Sequence, residues 1–238
     1  DGATFRTRDS DFLVSDSVDF HPTDVVEDAD GSLLVLDTGG WYRLCCPTSQ
    51  LQKPDILGAI YRIRRKDAPP LDDPRGQSIA WKNAGAAASA DIAALLGDAR
   101  PAVRKRAISE LAERDQDAVH VVEEVLRNSA SNVSRRNAVW TLTRIDSSSA
   151  REAVRLALHD ADEGVRHAAI HSVGVHRDSD ARGQLVAVLR DDSLAIRRAA
   201  AEALGRLEDA RAVPALLEAS SDASGRVLEH SLTYALIE

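Results

Sequence analysis

A pattern that returns every 31 residues, from about residue 90 to the end of the chain, constrains the fold more than any other feature. We call the first residue of the pattern the marker; it is Val103, Ser134, Val165, Ile196 and Val227. A small residue follows it by four positions, at Ala107, Ala138, Ala169, Ala200 and Ser231. Another small or apolar residue follows by eight positions, at Leu111, Leu142, Val173, Leu204 and Ala235. A fixed period of about 20 to 50 residues is typical of a solenoid, in which each unit buries its apolar face by stacking on its neighbours.

Each copy of the pattern predicts a pair of helices. Steps of four and eight from the marker lie on one face of an α-helix, as IRRAAAEALG at 196–205 shows. A shorter apolar run precedes each of these marker helices, and five residues before the marker stand Asp98, Ser129, Asp160, Asp191 and Asp222. Their short oxygen-bearing side chains are predicted to cap the marker helix. The predicted repeats are about 91–117, 118–148, 149–179, 180–210 and 211–238.

The residue directly after the marker is arginine in the first four copies and leucine in the fifth. Together with the turn residue before the marker and the small residues after it, this arginine resembles the pattern of HEAT repeats of the short kind also found in phycobilin lyases. The resemblance implies a right-handed superhelix of about five helical hairpins. It also implies a ladder of hydrogen bonds between turn aspartates and the following arginines of neighbouring repeats, here Asp98, Arg104, Asp160, Arg166, Asp191 and Arg197. Ser129 cannot pair ionically with Arg135, and Leu228 replaces the last arginine, so we expect the ladder to be weaker in the second and fifth repeats.

Composition and charge exclude some classes of function. The net charge is −8, and basic residues are spread along the chain, which argues against binding nucleic acid by phosphate neutralisation. No run of about 18 apolar residues occurs, so no membrane span is predicted. Because the chain begins at Asp1 and stops inside the last predicted helix, we expect it to be a fragment of a longer protein.

Residues 1–66 do not follow the helical period and predict a small antiparallel β segment. Runs rich in β-branched residues and leucine predict four strands, DFLVS at 11–15, TDVVED at 23–28, SLLVLDT at 32–38 and GAIYRIR at 58–64. Asp30 and Gly31 give a strong hairpin signal between the second and third strands. A long loop, 39–57, precedes the fourth strand, and residues 67–90 are expected to be a linker.

The segments FHPTDVVEDADGSLLVLDTGGW and GAIYRIRRKD are similar to the end of the β-propeller in a family of bacterial membrane-bound dehydrogenase-like proteins. In that family a propeller like that of soluble sugar dehydrogenases precedes HEAT repeats and often a haem c domain. The resemblance implies that residues 1–66 form one blade of a periplasmic or secreted dehydrogenase. The cofactor site would then lie largely outside this chain. No CxxCH is present, which excludes covalent attachment of haem to this chain. With the cofactor site expected elsewhere, we expect no cofactor in this chain.

An antiparallel strand order would place the connection 16–22 and the loop 39–57 at one edge of the sheet. His21 could then act as a base or ligand and Arg43 as an anion clamp, although a packed loop core is the favoured interpretation. Cys45 and Cys46, adjacent in the same loop, are expected to be two thiols, with a vicinal disulfide or pairing to a further segment as alternatives.

Two features of the marker helices are candidates for binding. His167 and His171 have the four-residue spacing of zinc sites, but equivalent positions in the other repeats carry mostly solvent-facing types, which favours an exposed surface. No His-Glu dipeptide occurs, which argues against a di-iron hydroxylase of the HEAT type. Trp140 beside Arg136 predicts an interaction surface; the alternative is that the neighbouring repeat covers Trp140.

The sequence leaves two functions open. The first is a scaffold that binds a protein or a neighbouring domain of the same polypeptide. The second is part of a sugar-dehydrogenase-like oxidoreductase whose chemistry takes place upstream of this chain.

Overall fold

A computed structural model describes residues 6–43, 50–53, 55–82, 85–191, 193–223 and 225–237. At 41–43, 50–52 and 86–87 it describes the backbone alone. The chain divides into two compact units, one formed mainly by residues 8–79 and the other by residues 80–99 and 104–238. Cys45 and Cys46 lie outside the described residues, so the expectation of two thiols stays a prediction.

The first unit contains a three-stranded antiparallel sheet in the order β1-β2-β5. Its strands are β1 (Pro22–Glu27), β2 (Leu33–Asp37) and β5 (Ala59–Ile63). Two further strands, β3 (Trp41–Arg43) and β4 (Gln50–Gln52), pair with each other inside the long loop. Gly31 has φ 77, and the Gly31 N–H donates to the Asp28 carbonyl, as the tight turn between β1 and β2 requires.

The predicted strand at 11–15 is wrong. Residues 11–15 are irregular, and Phe12 and Val14 are each 72% exposed. Their β-propensity has no effect here because a strand also needs a partner with which to exchange hydrogen bonds, and among the described residues none pairs with this segment. The sheet therefore has three strands where the sequence predicted four.

The second unit is an α-solenoid, as the 31-residue period predicts. The first helices of the five pairs are α1 (Ala86–Ala94), α3 (Gln116–Asn128), α5 (Ser148–Leu156), α7 (Arg182–Val188) and α9 (Val213–Ser221). The marker helices are α2 (Pro101–Glu113), α4 (Asn132–Leu142), α6 (Glu163–His176), α8 (Leu194–Arg206) and α10 (Arg226–Ala235). The described helices include none with both the length and the apolar character that crossing a bilayer requires.

Small residues let consecutive repeats pack closely. The residues four positions after the marker are fully buried in the first four repeats, at Ala107, Ala138, Ala169 and Ala200. Helix α6 packs against both α4 and α8, and α8 packs against α10, so the neighbours in space are the neighbours in sequence. This one-dimensional stacking confirms the predicted fold class.

The caps of the marker helices differ from the prediction. The capping side chain comes from the residue two positions after the predicted one, at Ser131, Asp162 and Ser193, each accepting a hydrogen bond from the backbone N–H three residues later. The predicted residues have another role: Asp160 and Asp191 accept from the N–H of Asp162 and Ser193. The residue directly before a helix is the one whose side chain reaches the unpaired N–H groups of its first turn.

The marker helix of the last repeat, α10, is rotated about its own axis relative to the other marker helices. Leu228 stands where the earlier repeats carry arginine, and it is fully buried, whereas the marker Val227 is 36% exposed. In the preceding repeat the marker Ile196 is fully buried. Replacing the arginine by leucine thus brings a different side of α10 against the solenoid and leaves His230 and Tyr234 exposed.

Candidate interaction surface

The turns between paired helices are joined by arginine. Arg135 binds the Asp160 carboxylate of the next repeat through two hydrogen bonds of 2.7 and 2.9 Å and donates to the Ser129 carbonyl of its own turn at 2.8 Å. Arg166 repeats the arrangement, donating to the Asp160 carbonyl at 2.9 Å and lying 3.2 Å from the Asp191 carboxylate. The planar guanidinium suits this role because its donors reach both turns at once.

The ladder is interrupted one repeat earlier than the sequence suggested. Each arginine pairs with the turn residue of the following repeat, so Ser129 deprives Arg104, and not Arg135, of a carboxylate. Arg104 instead donates to the carbonyls of Asp98 and Ala99, at 2.6 and 3.1 Å. At the other end, the buried Arg197 Nε makes no hydrogen bond within the described residues.

His21 is bound to the backbone at the edge of the small sheet. Its Nδ1 lies 2.8 Å from the Gly39 carbonyl and 3.0 Å from that of Asp19, and its own N–H donates to Asp37 at 2.9 Å. The backbone N–H groups of Gly39 and His21 lower the pKa of Asp37 despite its burial. These contacts hold the connection before β1 against the turn that follows β2. The Arg43 side chain lies outside the described residues, and a catalytic role for His21 or Arg43 stays a prediction.

The marker helices from α4 to α10 expose one continuous row of side chains, which we call the marker-helix face. It is formed by the residues two, six and ten positions after each marker: Arg136, Trp140, Arg144, His167, His171, Val175, Arg198, Glu202, Arg206, Glu229, Thr233 and Ile237. All twelve are exposed or half-buried. Four of them are arginines and two are glutamates, so this face is positively charged on a chain whose net charge is −8.

Trp140 and His171 make contact across two repeats. Their ring centroids lie 5.5 Å apart with the planes inclined by 63°, an edge-to-face arrangement. Trp140 is half-buried, so the neighbouring repeat covers part of its ring and leaves the remainder accessible. The neighbouring repeat therefore covers Trp140 in part, and its role in an interaction surface stays a prediction.

The electrostatic surroundings of His171 are positive. Burial lowers the pKa of His171, and the charges of Arg206 and His167 lower it further. His167 lies on the same helix, one turn away, as the spacing predicts. The described residues bring no third potential ligand into a group with these two histidines, so a zinc site has no further support here.

Arg206 connects His171 to the last repeat. Its side chain packs beside Gly174 of α6, where an added Cβ would be in ordinary van der Waals contact with Arg206 Cδ at 3.6 Å. On its other side Arg206 lines a cavity of about 250 Å³ between α8 and α10, together with Glu202, His230, Ser231, Tyr234 and Ala235. The rings of His230 and Tyr234 are stacked with centroids 6.1 Å apart.

The sequence pattern identified Arg136, Trp140, His167 and His171 as candidates, but not Arg198, Arg206 or the pair His230 and Tyr234. The signal for the two arginines was present, since they stand two and ten positions after the fourth marker. Exposure of His230 and Tyr234 could not be predicted from the period, because the equivalent Ala199 and Ala203 are buried.

The chain matches the family model of HEAT repeats twice, over residues 88–171 and 152–237. No curated protein matches the chain. Among solved structures, the complex of CpcE and CpcF of phycocyanin lyase from Nostoc sp. PCC7120 aligns with a TM-score of 0.55 at 20% identity, covering 63% of this chain and 99% of that one. Human deoxyhypusine hydroxylase aligns with a TM-score of 0.45 at 18% identity, covering 66% and 81%. A designed armadillo repeat protein gives 0.41 at 21%, covering 63% and 82%.

Proposed function

Since this chain belongs to the HEAT-repeat family, we propose that it is a scaffold that binds another protein, or another domain of the same polypeptide, through the marker-helix face. The observation that carries the proposal is the row of side chains at fixed positions across four repeats, with Trp140 half-buried against His171. Aromatic and arginine side chains that are partly desolvated contribute most of the binding energy in protein interfaces.

The stacking supports this function by holding the row in place. The arginine ladder fixes one turn against the next, and the caps at Ser131, Asp162 and Ser193 fix where each marker helix begins. A binding surface that is already ordered loses less conformational entropy when a partner docks. The phycocyanin lyase structure with the same fold is a complex of two chains, which is consistent with a role in assembly.

Hydrogen exchange of the bound complex tests the proposal. Partners from an extract of the natural host would be captured on the full chain, identified and purified. We expect each genuine partner to protect amides in α4, α6 and α8, and Trp140→Ala to abolish capture. Leu217→Ala, which truncates a side chain 54% exposed on α9, is the matched control and should leave capture unchanged. Protection confined to the first helices of the pairs would refute the proposed surface.

A second candidate is that the chain forms part of a larger dehydrogenase. It is favoured by the FHPTDVVEDADGSLLVLDTGGW motif together with the antiparallel order of β1, β2 and β5 around His21. Absorbance spectra and metal analysis of the protein with its flanking sequence would test it, since a bound quinone or stoichiometric metal is expected. A colourless, metal-free protein that still captures a partner would leave the scaffold as the function.

A further inference from the structure

We infer that the part of the marker-helix face from Trp140 to Arg206 binds an acidic peptide segment, one in which aspartate or glutamate residues flank an aromatic or apolar side chain. The inference rests on the proposed scaffold function and names the chemistry of the partner. It is carried by three observations: arginines without an ion pair, a histidine close to an arginine and to a second histidine, and apolar contacts at both ends of the row.

The positive charge on this face is only partly neutralised within the chain. Arg198 lies 3.4 Å from Glu202, and the pKa of Asp162 is lowered by the Asn132 side chain and, less strongly, by the charge of Arg136. In the part of the chain that the structure describes, Arg144 and Arg206 form no ion pair. Two arginines without a carboxylate partner on a chain of net charge −8 favour a ligand that supplies carboxylates.

The surroundings of His171 favour the same kind of ligand. Trp140 from α4 contacts its ring, and Arg206 from α8 and His167 from its own helix lower its pKa by their charge. Glu202, at the equivalent position of the next repeat, pairs with Arg198. A carboxylate placed against His171 and Arg206 would accept hydrogen bonds from both, and its negative charge would favour the protonated form of His171.

Apolar side chains of the ligand have places to bind on either side of this anion position. The exposed part of the Trp140 ring lies on one side, and the cavity of about 250 Å³ against Tyr234 and Ala235 lies on the other. Glu202 at that cavity is already engaged, since it accepts from Ser231 Oγ at 3.2 Å and pairs with Arg198. An aromatic side chain in the cavity would stack against the rings of His230 and Tyr234.

The spacing of the helices sets the length of the segment. Packed helices lie about 8–10 Å apart, so α4 and α8 are separated by about 16–20 Å. An extended peptide rises about 3.3 Å per residue, and about five or six residues therefore cover the distance. The inferred ligand is a short acidic segment of this length, lying across the helices in an extended conformation.

Fluorescence anisotropy with the full chain tests the inference. The probe is a labelled hexapeptide of alternating glutamate and phenylalanine, and the matched probe replaces each glutamate by lysine. We expect the acidic peptide to bind and the lysine peptide to bind at least about tenfold more weakly, since its charges repel those of the face. Arg206→Gln should weaken the acidic peptide about tenfold, as the loss of one charge-assisted hydrogen bond implies. Arg127→Gln, which removes an exposed charge from α3, should leave its affinity unchanged.

Titration of the His171 ring by NMR gives a second readout. A bound carboxylate next to the ring should raise the pKa of His171, whereas binding elsewhere on the solenoid would leave it unmoved. Equal binding of the two peptides, tighter binding of a DNA duplex, or an unmoved His171 titration would each overturn the inference. If natural partners still depend on Trp140 while the acidic peptide fails to bind, the acidic ligand is refuted and the scaffold function stands.

Discussion

The solenoid and the small β unit bury their apolar residues to very different extents. In the solenoid, one alanine in each of the first four repeats is fully buried. In the β unit, all six residues of β1 are exposed, including Val25 at 58%, and only Val35 of β2 is buried within the sheet. The unit also carries ion pairs near the surface, such as Arg64 with Asp30 at 2.9 Å.

This difference shows how each unit obtains its stability. A solenoid needs only contacts between consecutive repeats, so a short sequence pattern is sufficient to bury a continuous core. A sheet of three strands has two edges and little surface to bury, and exposed ion pairs contribute little to its stability. We therefore expect substitutions at equivalent apolar positions to have large effects in the solenoid and small effects in the β unit.

The largest effect is expected for Ala169→Asp. Ala169 is fully buried between marker helices, and an aspartate there would place a charge in this apolar interface. The cost should be about 3–5 kcal/mol in the free energy of unfolding, the range for a buried charge without a partner. Urea denaturation followed by circular dichroism at the helical band measures it.

Two control variants place the same charge at exposed positions, one in the solenoid and one in the β unit. Ala90→Asp puts the same charge on an exposed position of α1, and Val25→Asp puts it on the exposed strand β1. Each should change the free energy of unfolding by less than about 1 kcal/mol. An unchanged stability for Ala169→Asp, or a loss as large for Val25→Asp, would contradict the assigned packing.

A smaller loss is expected for Asp160→Asn. The carboxylate makes two hydrogen bonds to Arg135, and both side chains are mostly buried, so the variant leaves a guanidinium with weakened pairing. We expect a loss of about 2 kcal/mol, measured by urea denaturation at neutral pH. Arg64→Gln in the β unit removes a partner that is 65% exposed and should cost less than about 1 kcal/mol. An equal loss in the free energy of unfolding for Asp160→Asn and Arg64→Gln would show that burial does not determine how much an ion pair stabilises each unit.

The same pair predicts a dependence on pH. Burial raises the pKa of Asp160, but the hydrogen bonds from Arg135 and the Asp162 N–H outweigh it and hold the pKa below its ordinary value of 3.8. The carboxylate therefore stabilises the fold above pH 3.8, and its contribution is lost as the pH falls through the lower folded value. The difference in stability between the native chain and Asp160→Asn should shrink over that window; a constant difference would exclude this linkage.

The sequence predicted the solenoid because burial repeats with the period. Ala138 and Ala169 are buried for the same reason, so comparing five copies identifies the packing face without any structure. The cap was harder to assign, because the turn carries two short oxygen-bearing side chains, as at Asp160 and Asp162, and composition does not say which one lies next to the helix.

The β unit and the last repeat show where a local pattern is insufficient. The strand predicted at 11–15 depended on a pairing partner, which propensity does not encode. The cavity beside Tyr234 depends on how α10 turns when Leu228 replaces an arginine. Both outcomes are set by contacts between residues far apart in the sequence. Each of these features occurs once in the chain, so no second copy is present with which to compare it.

The smallest effect is expected for Ser129→Asp, which would supply the carboxylate that the ladder lacks. Arg104 already lies at this turn and donates to the Asp98 carbonyl at 2.6 Å, as Arg135 and Arg166 do at their own turns. A carboxylate at position 129 should therefore receive its guanidinium in the way that Asp160 receives Arg135. We expect a gain of about 0.5–1 kcal/mol in the free energy of unfolding. The gain should disappear in the background of Arg104→Gln; if it persists there, the added charge acts through the helix end and not through the ladder.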